Sequence, residues 1–498
     1  MASEGHVPSV KKNYVFNSLQ NISTILFPLI SFTYISRVLG PEKFGTVVFA
    51  SSFTGYFALL ASLGMPLYGA REIAKARGTP ERTDKVFSEL FCIGVCSTAV
   101  SLLLFFIPLL TVDKIQKETV LFLITGSIIV ANFFSVDWLF QGLEQYGNIA
   151  VRSVVFKAIS LALLIVTVRR ESDYLWYAAM SVVAVAGSNI SGFIVARKHV
   201  RLRFSRLSLR PHLRPIIVLF SVVCMVCVYI YLDSVILGFL AGNSAVGLYS
   251  AASKITRTVV VIVTSVSMVL VPRISYYLKN NMLDEYRAIT QKSIYFILFL
   301  AFPLSVGLFL CAPDILALFT GNRFAAAALT IRITAPLIVI IGLSNFFSLQ
   351  ILYPNGEENK LLIAVLCAAV VDVACNVALI PLFNFNGTAV ASVTAELTAL
   401  FGMILMSRKK YLTFRLVDKR VISYLAASLA MGCAVFLVMR LVRTPPLSTV
   451  SSCAVGAVCY TGLLYGIRDP LMREIVGLVR NRGLAGIGLL FSKERQRP

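Results

Sequence analysis

The stretch Asn132-Phe133-Phe134-Ser135-Val136-Asp137-Trp138-Leu139-Phe140 nearly returns as Asn345-Phe346-Phe347-Ser348-Leu349-Gln350-Ile351-Leu352-Tyr353. The first four residues are identical, a Leu recurs four residues after the Ser, and an aromatic follows it. Glu144 comes soon after the first copy, and Glu357 and Glu358 after the second. Each copy closes a long apolar run. What the repeat means depends on how many such runs the chain holds and where the two copies fall among them.

The runs are membrane spans. Of 498 residues 57% are hydrophobic and 14% charged, and mean hydropathy is +0.81. A soluble chain carries roughly 25% charged residues. Runs such as Val259–Val271 and Ile294–Cys311 are continuous rather than alternating, which predicts helices. A helix of ~20 apolar residues crosses the bilayer core, and helices satisfy their own backbone groups in lipid. Fourteen spans are expected in an all-α, polytopic membrane protein. Span three covers Phe87–Leu110, span four Val120–Phe140, span seven Ile216–Leu240 and span ten falls within Phe324–Tyr353. Around them the chain divides into an N-terminal segment 1–13, a six-span lobe 14–196, a basic linker 197–215, a second six-span lobe 216–407, a basic loop 408–420, two further spans in 421–466 and a C-terminal tail 467–498.

The repeat closes the fourth span of each lobe. A second echo agrees with it. Leu39-Gly40, Gly45 and Ala50-Ser51 at the junction of spans one and two match Leu237-Gly238, Gly247 and Ala252-Ser253 at the junction of spans seven and eight. Six spans per copy give both lobes the same orientation, so the repeat is parallel and suits alternating access by rocking of two lobes.

Charge sets the orientation. Loop residues on the side of both termini include 33 Lys and Arg, against 9 on the other side. By the positive-inside rule both termini are cytoplasmic. The same rule accounts for the net charge of +22, which therefore gives no support to nucleic-acid binding. Most of the ten cysteines sit in apolar runs and behave as small apolar residues. Cys224-Met-Val-Cys227 lies in a span, away from any redox fold. The N-terminus lacks the pattern of a removable signal peptide.

Ionisable residues inside spans are costly and mark pathways or internal partners. The basic ones are Lys157, Lys254, Arg257 and Arg332, with Arg37 near the end of span one. Together they make a cationic cavity for an anionic substrate, since guanidinium forks bind phosphate bidentately. Lys254 and Arg257 are three apart and share a helix face. The acidic ones are Asp137, Asp233, Asp372 and Glu396, candidates for coupling to H+ or Na+ or for ion pairing. Asp137 with Lys157, and Asp233 with Lys254, are possible pairs. His6, His199 and His212 all fall outside the spans, which excludes a histidine relay and leaves proton transfer to a carboxylate. No catalytic motif, metal-ligand spacing or cofactor signature is present, and no outer connection is long enough to hold a catalytic site.

Leu39-Gly40-Pro41-Glu42-Lys43-Phe44-Gly45 resembles the signature of bacterial polysaccharide repeat-unit flippases. Tyr68-Gly69-Ala70-Arg71-Glu72-Ile73-Ala74 is similar to their next block, and Asp137-Trp138-Leu139-Phe140-Gln141-Gly142-Leu143-Glu144 to the one after. Asp233–Gly238 with Gly247–Ile255, and Pro354-Asn355-Gly356, continue the resemblance, which covers roughly residues 12–410. These proteins belong to the multidrug/oligosaccharidyl-lipid/polysaccharide exporter superfamily. The resemblance implies a MATE-like fold in the bacterial inner membrane and a glycan on undecaprenyl pyrophosphate, moved from the cytoplasmic to the periplasmic leaflet. It also implies cooperation with a polysaccharide polymerase and a chain-length regulator, in the making of O-antigen, capsule or exopolysaccharide. The alternatives are a lipid II flippase and a multidrug antiporter of the same superfamily. The antiporter would favour organic cations, which the basic residues oppose. A membrane enzyme such as a polymerase or ligase would need the outer catalytic loop that is absent.

Overall fold

The computed structural model describes residues 10–205, 207–407, 415, 418–442 and 445–482. Most of the basic loop 408–420 and the tail beyond 482 lie outside them. Among the described residues all regular structure is helical. Two compact units divide at Gly247 and Leu248.

The first unit holds α1 (Val10–Ser62), α2 (Met65–Ala76), α3 (Pro80–Thr111), α4 (Asp113–Gln116), α5 (Thr119–Phe133), α6 (Asp137–Gly142), α7 (Tyr146–Thr167), α8 (Tyr174–Ala196), α9 (Arg210–Ala241) and the start of α10 (Asn243–Lys279). The second holds the rest of α10, then α11 (Leu283–Leu310), α12 (Ala312–Thr320), α13 (Ala328–Thr334), α14 (Leu337–Phe346), α15 (Glu358–Phe383), α16 (Phe385–Met406), α17 (Lys419–Leu441), α18 (Pro445–Gly466) and α19 (Pro470–Arg482).

Twelve helices among the described residues are long and apolar enough to cross a membrane, against the fourteen expected. The difference has two sources. Spans one and two form one candidate, Leu19–Ala76, because α1 bends at Gly40 without a loop. In α9 only Tyr231–Ala241 counts, as a shorter apolar helix. Span ten is not one helix either: a 3-10 segment Asn322–Ala327, α13, α14 and a π-helical turn Phe347–Leu352 share it. The tail contains a helix, α19, that the hydropathy pattern did not reveal.

The bend explains one echo and corrects it. Gly40 has φ 69° and ψ 178°, a conformation open only to glycine, and Pro41 then starts the next helical segment. The backbone with the same geometry in the second copy is Gly242, φ 88° and ψ 176°, between α9 and α10. The interval from Gly40 to Gly242 equals those from Gly45 to Gly247 and from Ser51 to Ser253. Gly242 and not Gly238 is therefore the counterpart of Gly40. The matched glycines also meet: a Cβ on Gly45 would lie 1.8 Å from the Asn243 carbonyl oxygen, and one on Gly247 1.9 Å from that of Pro41. Backbone packs on backbone here, which no larger residue allows.

In lipid, apolar burial does not drive helices together, so small residues and hydrogen bonds do much of the joining. Ser97 and Ser101 of α3 donate to the Ala61 and Phe57 carbonyls of α1 at 2.7 and 2.6 Å. In the second unit Tyr460 of α18 donates to the Phe299 carbonyl of α11 at 2.8 Å.

The linker is strapped to the first unit. Asp84, Ser88 and Glu89 on one face of α3 accept from the backbone N–H of Arg201, Arg203 and Ser208, each at 2.8 Å. His212 at the start of α9 lies between Glu89, 2.9 Å from its Nε2, and the Tyr68 hydroxyl, 2.7 Å from its Nδ1. A loop position outside the spans did not leave this histidine solvated: its side chain is 11% exposed. His212 is thus enclosed by side chains although it lies outside the expected spans.

Candidate functional site

Both copies of the repeated stretch leave regular α-helix at the same residue. α5 ends at Phe133 and α14 ends at Phe346, the first Phe of each motif. In the first copy the chain breaks over Phe134–Val136 and restarts as α6 with Asp137 at its first position. In the second copy it continues as the π-helical turn. The conserved phrase thus marks a local departure from the α-helix, and the diverged residue comes just after it.

That divergence is a difference in partners. Asp137 accepts from Arg152 Nη2 at 2.9 Å, not from Lys157. Arg152 also donates to the Ser188 and Asn148 carbonyls at 2.6 and 2.9 Å, and its guanidinium lies 5.0 Å from the Phe140 ring centre. Gly192 leaves the space: a Cβ there would lie 1.9 Å from Arg152 Nη1. Gln350 meets no such cation among the described residues. It is fully buried, and its Nε2 donates to Ser267 Oγ at 3.1 Å. Arg152 is not among the charged span residues that the sequence singled out, so this pair was missed.

The blocks that carry the family resemblance pack on one another. A Cβ on Gly69 would lie 2.7 Å from the Trp138 ring, and one on Gly142 2.7 Å from Ile73. Arg77 and Glu144 pair at 2.9 Å. Lys114 in α4 donates to the Gly238 carbonyl and lies 4.9 Å from the Phe49 ring centre and 5.8 Å from that of Phe239. Burial among these groups pushes its pKa down. Nothing in its loop position signalled that contact.

The predicted basic residues fall in both units. Arg37 is exposed on α1. Lys157 on α7 donates to Ser23 Oγ of α1 at 3.2 Å and has no carboxylate partner among the described residues. In the second unit Lys254 and Arg257 follow one face of α10. Arg257 Nε donates to Ser253 Oγ at 3.3 Å. Between them in sequence, Thr256 meets Thr334 of α13 at 2.9 Å, both hydroxyls buried. This contact ties α10 to the short helix that carries Arg332. Arg332 Nε is buried without a hydrogen-bond partner, and the guanidinium lies 6.0 Å from the Phe309 ring centre. No carboxylate pairs with Arg332 among the described residues.

The predicted carboxylates are equally divided. Asp233 is buried in α9 of the first unit. Asp372 is buried in α15, on a face with Ala364, Ala368, Asn376 and Ile380 at four-residue spacing. Glu396 is half-buried on α16, which packs along α15. Glu89 was missed although span three contained it; with 4% side-chain exposure it is one of the most enclosed carboxylates of the first unit. Among the described residues no group of three or more His, Cys, Asp or Glu is placed to hold a metal ion.

Comparison with known proteins agrees with this architecture. The family model described as polysaccharide biosynthesis protein matches residues 10–278, and that of the lipid II flippase MurJ matches 148–457, each more than half the chain. A putative O-antigen transporter of Escherichia coli (strain K12) is 24% identical over 415 residues, 80% of this chain and 98% of its own length. A probable lipid II flippase MurJ of Rhizobium tropici is 23% identical over 466 residues, 85% of this chain and 86% of its own. Among solved structures, a lipid II flippase MurJ in an inward closed conformation superposes with TM-score 0.75 at 15% identity, covering 92% of this chain and 99% of that one. An inward-facing multidrug resistance MATE transporter superposes with TM-score 0.62 at 16% identity, covering 79% and 97%. These likenesses, with twelve apolar helices and a repeat that breaks at one residue in both copies, place the chain in the membrane as a multi-pass protein. It belongs to the polysaccharide biosynthesis protein family, the polysaccharide flippases of the multidrug/oligosaccharidyl-lipid/polysaccharide exporter superfamily.

Proposed function

We propose that this protein carries an undecaprenyl-pyrophosphate-linked oligosaccharide from the cytoplasmic to the periplasmic leaflet of the bacterial inner membrane. Both termini stay in the cytoplasm, and Arg37, Lys157, Lys254, Arg257 and Arg332 attract the substrate's phosphates. The observation that carries this reading is Arg332. Arg332 is half-buried in the second unit, with its Nε enclosed and, among the described residues, no carboxylate beside it; such a charge is costly, and an anionic ligand removes that cost. Lys157, held only by a serine hydroxyl, supports it from the other unit. Asp137 serves as the structural partner of Arg152. Asp233, Asp372 and Glu396 remain for ion pairing or for coupling to H+ or Na+. A polysaccharide polymerase and a chain-length regulator would receive the product. The work is transport rather than catalysis.

In proteoliposomes loaded with a lipid-linked glycan, Arg332→Ala lowers translocation about ten- to a hundredfold, the loss expected for one charged hydrogen bond of about 1.5–3 kcal/mol. Arg332→Lys restores part of it. Undiminished translocation by correctly inserted Arg332→Ala overturns the assignment. The match to the lipid II flippase model favours a second reading, with lipid II as the glycolipid. Competition between lipid II and an O-antigen precursor in the same vesicles separates the two.

A further inference from the structure

A cavity of about 270 Å³ lies wholly inside the first unit, where the end of α1, α2, α3 and the break after α5 converge. Met65, Phe91, Phe133 and Trp138 line it, together with Asn132 and Ser135 of the repeated stretch. No charged side chain lines it. The cationic residues assigned to phosphate are not among its walls.

Its aromatic rings form a connected series. Phe87 stands 5.4 Å from Trp138 and 6.4 Å from Phe91, and Phe91 stands 4.9 Å from Phe133. Gly69 holds Trp138 in place from behind, since even a methyl there would meet the indole at 2.7 Å. Beside the rings are two polar groups with unused capacity. The Asn132 carbonyl oxygen accepts from Asn189 at a long 3.5 Å, while its amide N–H groups reach no acceptor among the described residues. The Ser135 hydroxyl makes no hydrogen bond to the described residues.

These features select a ligand. A phosphate would find no cation. An isoprenoid tail would cover the free amide and hydroxyl and leave them unsatisfied, at about 1–3 kcal/mol each. A pyranose suits both sets of groups: its C–H faces stack on electron-rich ring faces, and its hydroxyls meet the amide and the serine. Drug-sized pockets begin near ~300 Å³, so this volume fits one ring and not an oligosaccharide.

The geometry points to this cavity as a subsite for one neutral sugar ring of the transported glycan, gripped by Phe91, Phe133 and Trp138 and read by Asn132 and Ser135. The inference rests on the glycolipid reading above and adds where a sugar binds. It also gives the first copy of the repeat a task that its counterpart, continued as a π-helical turn, does not share.

The chain contains two tryptophans, Trp138 and the exposed Trp176, so Trp176→Phe leaves Trp138 as sole reporter. The reporter protein in nanodiscs is titrated with polyprenyl diphosphate bearing one N-acetylhexosamine, and separately with the sugar-free lipid. Retention of each lipid is measured alongside emission. The sugar-bearing lipid alone changes Trp138 emission, and Asn132→Leu weakens that response about tenfold, the equivalent of one hydrogen bond. Ser135→Ala, which breaks no bond in the fold, weakens it in the same direction. An equal emission change from both lipids, retention of the glycolipid without a change, or an unaltered response in both variants overturns the subsite and leaves the flippase reading standing. Failure to retain either lipid overturns both.

Discussion

Replacing Asp137 by Gln copies the second lobe into the first, and it separates a structural carboxylate from a transport carboxylate. The pair with Arg152 is mostly enclosed, with side-chain exposures of 30% and 10%. Arg152 does not depend on Asp137 alone: two carbonyls and the Phe140 face also hold it. A Gln keeps a neutral hydrogen bond where a charged one stood. The loss is then the difference between about 1.5–3 and about 0.5–1.5 kcal/mol, or about 1 kcal/mol. Arg152→Ala strips the whole network and strands a partly buried carboxylate, so it costs about 3–5 kcal/mol. A double-mutant cycle with Asp137→Ala and Arg152→Ala gives a coupling of about 1–3 kcal/mol. Unfolding free energies in mixed micelles measure these values, and glycolipid translocation is followed in parallel. Asp137→Gln is expected to lose the stated stability and keep transport. If it abolished transport with unchanged unfolding energy, Asp137 would act in coupling and the structural assignment would be wrong.

Glu89→Ala leaves the Ser208 N–H and His212 without their acceptor, at about 1–3 kcal/mol each; trypsin then cuts the linker at Arg201 and Arg203 faster in detergent, and an unchanged cleavage rate would show that the strap does not hold the linker. Asp418 caps α17, accepting from the N–H of Arg420 and Val421 at 2.8 and 3.2 Å and from the Tyr295 hydroxyl. Burial raises its pKa, but the Tyr295 hydroxyl and the two amides outweigh burial and hold the group below its ordinary value. Its folded pKa is depressed, so its stabilisation is present above the unfolded value and disappears as pH falls through the folded one. Asp418→Asn keeps a capping oxygen but exchanges charged hydrogen bonds for neutral ones, so it unfolds about 1 kcal/mol more easily at pH 7, and the gap closes as pH falls below about 3.9. A gap that persisted at pH 2 would refute the carboxylate's role.

The motifs behind the family resemblance prove to be packing devices. Gly45 and Gly247 bring backbones together, Gly69 seats Trp138, and Gly142 receives Ile73. These positions look functional in a sequence because only one residue type fits, yet what they serve is the approach of one helix to another.

The amino-acid sequence by itself determined the solvent and the helical class, and it carries the repeated motif. Lipid leaves a backbone few options, so long apolar runs mean helices, and a motif that closes the fourth run of each half marks the repeat. It also located several of the unusual charges, because charge in an apolar run stands out, but not Glu89 or Arg152. Only the tertiary structure decided which of them are balanced. Arg152 and Asp137 are fifteen residues apart and on different helices, His212 reaches Glu89 across the linker, and Arg332 finds no carboxylate among the described residues. The same holds for the counterpart of Gly40, which matching letters put at Gly238 and backbone angles put at Gly242. The physical reason is common to all of these. Hydropathy is a property of each residue and its neighbours in the chain, whereas the cost of a buried charge depends on a partner that folding brings from elsewhere.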